Sequence, residues 1–138
     1  MSTPTLSRTV APLVAAYFLA SLAHFGHNGA YIAFYPGMPG WLTSRTVYLA
    51  WLAVTSLGVL AAVLFRLRLR TAALIALAAY GAMGLDGLAH YTLALCSEHT
   101  LVANLTIWSE AVSGLLLLLV SAVLLNRPES RHTKGVTA

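Results

Sequence analysis

Two histidines, His24 and His27, stand three residues apart in the apolar stretch AHFGHNG, and two further apolar stretches carry Asp86, His90 and Glu110. In a lipid bilayer, a charged side chain at the centre of a helix costs about 2.5–3.5 kcal/mol, so ionisable residues at that depth usually mark a site or a pathway. Such side chains must pair with one another, with a metal or cofactor, or with water. Each of these pairings implies a different chemistry.

A metal centre is the first interpretation. His24, His27, His90 and Asp86 would supply three imidazoles and one carboxylate to the core of a helical bundle, a donor set that suits zinc, iron or copper. The metal would polarise a substrate oxygen or activate water, while Glu110 acts as general acid or base. His24 and His27 are about 300° apart on an α-helix, so both would reach one metal only with cooperating rotamers.

The second interpretation is acid–base chemistry without a metal. Asp86 and Glu110 would serve as proton donor and charge stabiliser, with His90 as a third catalytic group. A hydrophobic substrate would lie among one amide and four aromatic side chains: Asn28, Tyr31, Tyr80, Trp51 and Trp108. Aromatic residues of this kind more often serve in helix packing or in the interfacial belt of a membrane protein.

Noncatalytic interpretations remain open. His27 and His90 fall at similar depth, as the two axial ligands of a b-type haem in an electron-transfer subunit would. Alternatively, the polar residues would relay protons in a small transporter or organise partners in an accessory subunit. In the simplest case the histidines, Asn28 and the tyrosines only hydrogen-bond to one another and hold the helices together.

The composition places these residues in a membrane. The chain of 138 residues is 59% hydrophobic and 9% charged, with a mean hydropathy of +0.78, whereas soluble domains carry about 25% charged residues. Four apolar segments are long enough to cross a bilayer, which takes about 20 helical residues. Strands of a β-barrel would alternate in polarity over about ten residues, and these segments do not. We therefore predict an all-α, integral membrane four-helix bundle.

The predicted spans cross in an antiparallel, up-down arrangement: residues 10–34, 47–65, 71–95 and 101–125. At a rise of about 1.5 Å per residue, His24, Asp86 and Glu110 all lie roughly 22 Å from the inner ends of their spans. On an α-helix, Asp86 and His90 would point in the same direction. Span one carries one polar and aromatic stripe: Tyr17, Ser21, His24, Asn28, Tyr31 and Tyr35. These positions predict a shared polar cavity in the outer half of the bundle.

The arginines predict the orientation. Arg8 precedes span one, three arginines fill the connection between spans two and three, and basic residues follow span four. The positive-inside rule places residues 1–9, that connection and a flexible tail of residues 126–138 in the cytoplasm. This asymmetry accounts for the net charge of +4, and no basic patch interleaved with aromatic residues indicates nucleic acid binding. The preference for arginine over lysine suggests a bacterial inner membrane.

The segments outside the spans add little chemistry. Glu98 and His99, in the connection before span four, are expected to be solvated loop residues. Cys96 is the single cysteine and forms no disulfide within the chain. We expect span one to be a retained helix rather than a cleaved signal peptide, because apolar sequence continues to Phe34.

The sequence thus favours a small membrane enzyme that acts on a hydrophobic or lipid-like molecule by metal-assisted or acid–base chemistry. The expected cofactor is a divalent transition metal, with haem or no cofactor as the alternatives. Membrane lipid and the hydrophobic small molecule are the expected partners. Four spans of this length often enclose a pathway only as an assembly, so a homo-oligomer is also expected.

Overall fold

The computed structural model describes residues 4–127, with side chains from Val10 onwards. Within that range the chain contains no β-strand and has four helices long and apolar enough to cross a membrane. These spans are Val10–Phe34, Ser44–Arg66, Arg70–Leu93 and Leu101–Leu125. The prediction of an all-helical chain with four apolar helices of membrane-spanning length is confirmed. Except for Asn126 and Arg127, the predicted tail lies outside the described residues.

Three of the spans are regular helices: α-helix Pro4–Tyr31 followed by a 3-10 turn Ile32–Phe34, α-helix Ser44–Arg66, and α-helix Leu101–Leu125. Threonine caps fix where the second and the last of these begin. The Thr43 hydroxyl accepts the Thr46 N–H at 3.3 Å, and the Thr100 hydroxyl accepts the Ala103 N–H at 3.2 Å. Each cap satisfies an N–H group that has no acceptor inside its helix.

Span three changes helix type midway: α-helix Arg70–Ala82, a 3-10 segment Met83–Ala89, and a final α-helical turn His90–Leu93. A 3-10 helix has about three residues per turn, so side chains three apart share a face. The segment accordingly has a buried and an exposed set: Gly84, Gly87 and His90 against Met83, Asp86 and Ala89. The expectation that Asp86 and His90 point in one direction is therefore wrong, because it assumed an α-helix.

Glycines let spans three and four pack backbone to backbone. A Cβ atom added at Gly81 would lie 2.7 Å from the Gly114 carbonyl oxygen. One added at Gly84 would lie 2.9 Å from the Glu110 carbonyl oxygen and 3.0 Å from the Gly114 Cα. Only residues without a side chain permit so close an approach. This contact sets the position of the Glu110 backbone against the 3-10 segment.

The four spans form a ring in which spans one and three each pack against spans two and four. A cluster of buried apolar and aromatic side chains fills one part of this ring, and its largest members are Tyr17, Leu74, Leu77, Tyr80 and Leu117.

The connections 35–43 and 94–100 meet at one end of the ring, where Gly37 lies against the Leu93 carbonyl group. We call this the loop end. All buried histidine and carboxylate side chains of the described residues lie in the half of the bundle nearest to it: His24, His90, His99 and Glu110.

Candidate functional site

Glu110 and His24 form a buried pair across spans four and one. Oε2 of Glu110 lies 3.7 Å from Nε2 of His24, and the two residues are only 1% and 2% exposed. This is an ion-pair distance, too long for a direct hydrogen bond. Among the described residues, neither carboxylate oxygen of Glu110 has a hydrogen-bond partner, and neither does Nδ1 of His24. An acid and a base therefore face each other in an enclosed space.

Two small residues border this pair. A Cβ atom added at Gly87 would lie 3.3 Å from Oε2 of Glu110 and 3.6 Å from Nε2 of His24. The 3-10 segment thus approaches both groups with bare backbone. Ser21, one helical turn before His24, is fully buried and lies beside the Glu110 carboxylate.

His90 is held next to His24. The ring centroids are 5.2 Å apart, with an angle of 78° between the ring planes. The Asn28 side-chain amide donates to Nε2 of His90 at 3.3 Å, which leaves the proton of a neutral imidazole on Nδ1. Within residues 4–127 that Nδ1 has no partner. Asn28 thereby joins span one to the last turn of span three.

Tyr35, immediately after span one, connects His27 to His90. Its hydroxyl lies 2.7 Å from Nδ1 of His27, and its ring centroid is 5.1 Å from that of His90. Burial raises the pKa of the Tyr35 hydroxyl to about 12, and a contact with the Thr106 side chain offsets part of the rise. Tyr35 is therefore protonated at neutral pH, and its hydroxyl can donate to Nδ1 of His27.

His99 is buried, with 7% of its surface exposed, so the expectation of a solvated loop side chain is wrong. Its ring contacts three others: Tyr35 at 6.1 Å, His90 at 6.0 Å and Tyr91 at 5.5 Å between centroids. Nδ1 lies 3.0 Å from the Leu95 carbonyl oxygen. A carbonyl only accepts, so Nδ1 carries a proton, and in the neutral imidazole tautomer Nε2 then has the lone pair. This Nε2 is buried and has no partner in the described part of the chain.

Asn104 fixes the connection that carries His99. Its amide nitrogen donates to the Cys96 carbonyl oxygen at 3.0 Å, and its amide oxygen accepts the Tyr91 hydroxyl at 2.8 Å. Glu98 is exposed, and its carboxylate accepts the Leu95 N–H at 2.7 Å. These bonds hold the connection in the conformation that buries the His99 ring.

A cleft of about 490 Å³ opens beside these rings, between the end of span one and the start of span four. His27, Tyr35 and His99 are its principal polar lining, and most of the remaining surface is apolar. Phe34 stands at its rim and is 82% exposed. The volume falls within the range of about 300–1,000 Å³ that is usual for small-molecule sites.

Asp86 does not join this buried set. It is exposed on span three, whereas Gly87 and His90 are turned into the bundle. The structure thus brings His24, His90 and Glu110 together and leaves the second predicted carboxylate on the surface of the bundle.

The donor set predicted for a metal does not assemble. Asp86 is exposed on span three, whereas His24 and His90 are buried. Across residues 4–127, no group of three or more histidine, cysteine or carboxylate side chains is arranged to hold a metal ion. A haem fits no better, because Tyr35 contacts both His27 and His90. A porphyrin placed between these two imidazoles would have to displace Tyr35.

The residues predicted to line a substrate pocket divide into two groups. Asn28 is bonded to His90, and Tyr31 lines the cleft. Tyr80 is 1% exposed within the apolar core. Trp51 and Trp108 each contact another aromatic ring away from the cleft. Tyr80 therefore packs inside the bundle and Trp51 lies against Phe18, whereas Trp108 is half exposed beside Tyr91.

The candidate site combines side chains of spans one, three and four with the connection 94–100. Comparisons with protein-family models, curated proteins and solved structures found no match to this chain. The contacts, burial and charges of these side chains are what indicate its chemistry.

Proposed function

We propose that this protein is a membrane-embedded enzyme that transfers a proton to or from an uncharged hydrophobic molecule. Glu110, His24 and His90 are the proposed proton-handling groups. The observation that carries this proposal is a continuous series of contacts between buried titratable side chains, which runs from Glu110 through His24 and His90 to Tyr35 and His99. The series ends at an apolar cleft large enough for a small molecule.

The geometry supports proton transfer more than a purely structural role. Side chains that only tie helices together form direct hydrogen bonds. Here Glu110, His24, His90 and His99 each keep at least one buried nitrogen or oxygen without a partner among the described residues. Of these four residues, His99 lines the cleft, and the other three lie behind it in the series of contacts. General acids and bases in such positions contribute about 10²–10⁴-fold to rates.

Acid–base chemistry also needs only groups that the structure brings together. Glu110 with His24 supplies an acid and a base 3.7 Å apart. His90 lies between this pair and the cleft, because its ring contacts both His24 and the cleft residues Tyr35 and His99. Asp86 is exposed on span three and is assigned no part in the transfer.

We also propose an antiparallel arrangement of the spans in a bacterial inner membrane, with both termini and the connection 67–69 in the cytoplasm. The supporting feature is the run of arginines at 66, 68 and 70, since cytoplasmic loops are enriched in such residues. In this orientation the loop end and its cleft face the outer side. The exposed Asp86 supports a homo-oligomer, because a second copy would remove that carboxylate from lipid.

Solvent deuterium provides a test that works before the substrate has been identified. Membranes that contain the wild-type protein are incubated in D2O with a total bacterial lipid extract, and lipids are compared by mass spectrometry. We expect at least one neutral lipid to gain deuterium at carbon or at a newly formed bond. The Glu110→Gln variant should reduce the rate at least about 100-fold, since it removes the carboxyl proton but keeps the shape.

Glu98→Gln is the matched control, because Glu98 is exposed in the connection before span four and glutamine keeps an oxygen that can accept the Leu95 N–H. It should behave as wild type. Identical lipid profiles for wild-type and Glu110→Gln membranes, with both proteins folded and equally abundant, would contradict the proposed function.

A further inference from the structure

The cleft at the loop end has a polar corner and an apolar body, which restricts the molecule that fits it. Its polar corner is formed by His99 and the start of span four, and its apolar surface includes Tyr31, Phe34 and Val102. Tyr31 and Val102 are each 52% exposed and Phe34 is 82% exposed. A cleft rimmed by exposed apolar side chains at the end of two spans admits molecules sideways from a lipid leaflet.

His99 offers an acceptor rather than a donor to this corner. Its Nδ1 is committed to the Leu95 carbonyl oxygen at 3.0 Å, so Nε2 carries the lone pair. Nε2 is buried without a partner among the described residues, behind the cleft surface that other atoms of His99 line, so a ligand hydroxyl reaches it by displacing part of that lining. A buried acceptor left unsatisfied destabilises the fold. A ligand group that donates a hydrogen bond would remove this cost.

The start of span four supplies the complementary donors. The first N–H groups of a helix have no acceptor within it. Of these N–H groups, the Thr100 hydroxyl accepts only the N–H of Ala103. Thr100, Val102 and Ala103 all line the cleft. A ligand oxygen that both donates and accepts fits this corner better than one that only accepts. A hydroxyl group has this property, whereas an ether or a carbonyl oxygen does not.

The described lining of the cleft disfavours ionic head groups, because it contains no arginine, lysine, aspartate or glutamate. A phosphate monoester in this corner would lose its hydration and gain only the N–H groups at the start of span four and the imidazoles of His27 and His99, with no arginine or lysine in return. An ammonium head group would similarly find no carboxylate.

We propose that the cleft binds an uncharged lipid alcohol, whose hydroxyl donates to Nε2 of His99 and whose hydrocarbon chain lies along Tyr31, Phe34 and Val102. This inference rests on the proposed function, since it names the substrate class of the same site. The alcohol enters from the leaflet at the loop end and lies next to the Tyr35 and His90 rings. Its hydroxyl-bearing end then faces the series of groups that leads to Glu110.

Three probes that share the same hydrocarbon chain but differ in head group show which head-group chemistry the cleft prefers. Farnesol has a hydroxyl donor, farnesyl methyl ether lacks that donor, and farnesyl phosphate is charged. The affinity of each probe is measured with the full-length protein in nanodiscs. The signal from empty nanodiscs is subtracted to correct for probe that partitions into the lipid. We expect farnesol to bind at least tenfold more tightly than either of the other two. Equal affinities for the three probes would overturn the proposal without any mutation.

Substitution at His99 tests the acceptor directly. The His99→Phe variant should lose at least tenfold in farnesol affinity and bind farnesol and its methyl ether equally. Leu60→Phe adds the same aromatic group at an exposed position on span two, and it should bind as wild type. Retained preference for farnesol in folded His99→Phe protein would also overturn the proposal.

Glu110→Gln distinguishes this inference from the proposed function. Glu110 does not line the cleft, so the variant should keep the wild-type preference for farnesol while losing deuterium transfer. Selective binding of farnesol without any Glu110-dependent transfer of deuterium would support the alcohol site and refute the proposed enzymatic function. Glu110-dependent transfer without selective binding would refute the alcohol site alone.

Discussion

Glu110 and His24 are enclosed by protein at an energetic cost. Each buried polar group without a partner costs about 1–3 kcal/mol, and three such atoms belong to this one pair. Apolar residues of similar size would pack the same space without that cost. The pair is therefore difficult to explain by stability and easier to explain by a reaction that uses its proton.

Tyr35 allows the burial of this cluster to be tested by pH. Its pKa is about 12 in the folded protein and about 10 in an unfolded chain, so folding favours the protonated form. The resulting stabilisation is complete below pH 10 and is lost as pH rises through 12. We expect the Tm advantage of wild type over Tyr35→Phe to stay constant up to about pH 10, then to shrink and reverse as the pH approaches 12, because ionising the buried hydroxyl costs more than one hydrogen bond contributes. Below pH 10 the variant should be less stable by about 0.5–1.5 kcal/mol, the usual net value of one hydrogen bond.

The measurement is a series of thermal melts followed by circular dichroism in one detergent. Phe34→Leu is the control, because it changes a neighbouring side chain that does not titrate. Its Tm difference from wild type should stay constant across the same pH range. A difference between wild type and Tyr35→Phe that is equally constant would show that the Tyr35 hydroxyl is not buried as described.

Site residues could be predicted from the sequence where a polar side chain interrupts an apolar span, and not where it lies in a polar loop. His24, His90 and Glu110 interrupt apolar spans, and polar side chains there must face inward. His99 stands in the polar segment CSEHT, whose composition is that of an ordinary loop. Its burial depends on the bonds of Asn104, which lie in tertiary structure. The one available signal was Asn104 itself, an amide placed in the first turn of an apolar span.

The packing of span three against span four yields a prediction about glycine. A methyl group at Gly84 would meet the Glu110 carbonyl oxygen at 2.9 Å and the Tyr17 ring at 2.8 Å. Backbone atoms cannot rotate away, so Gly84→Ala should destabilise the protein by about 1–3 kcal/mol. It should also weaken the deuterium transfer, because the Glu110 backbone is displaced. Thermal melts and the lipid assay measure both effects.

Gly26→Ala is the matched control, since nothing lies within 4 Å of the added atom. Alanine is the better helix former, so this variant should be as stable as wild type or up to about 1 kcal/mol more stable. If Gly84→Ala were equally well tolerated, spans three and four would not approach each other through this glycine.

Hydropathy located the spans but not their internal geometry. The second span begins at Ser44 rather than at residue 47 because the cap formed by Thr43 extends the helix by one turn. The 3-10 segment Met83–Ala89 was not predicted, since apolar content carries no information about residues per turn. Gly81, Gly84 and Gly87 are spaced three residues apart, which is the period of a 3-10 helix. In the structure Gly81 and Gly84 pack against Gly114, and Asp86, which lies off this glycine face, is exposed.

At the scale of the whole molecule, the described residues bury their histidines and one carboxylate in a single half of the bundle. A buried cluster that includes Leu74, Leu77 and Leu117 fills its apolar part. Among the described residues, no buried histidine or carboxylate lies outside the half nearest the loop end. A transporter would need a polar pathway that reaches both sides. This asymmetry therefore favours a site entered from the loop end alone.

The single cysteine makes the orientation of the molecule testable. Cys96 is exposed in the connection 94–100, which the proposed topology places outside the inner membrane. A membrane-impermeant maleimide should therefore label wild-type protein in cells whose outer membrane alone is permeable. The double variant Cys96→Ser, Arg68→Cys moves the thiol to the exposed connection 67–69, and it should react only after the inner membrane is opened. The reverse pattern would place the loop end and its cleft in the cytoplasm, because both positions are exposed and differ only in the side of the membrane they face.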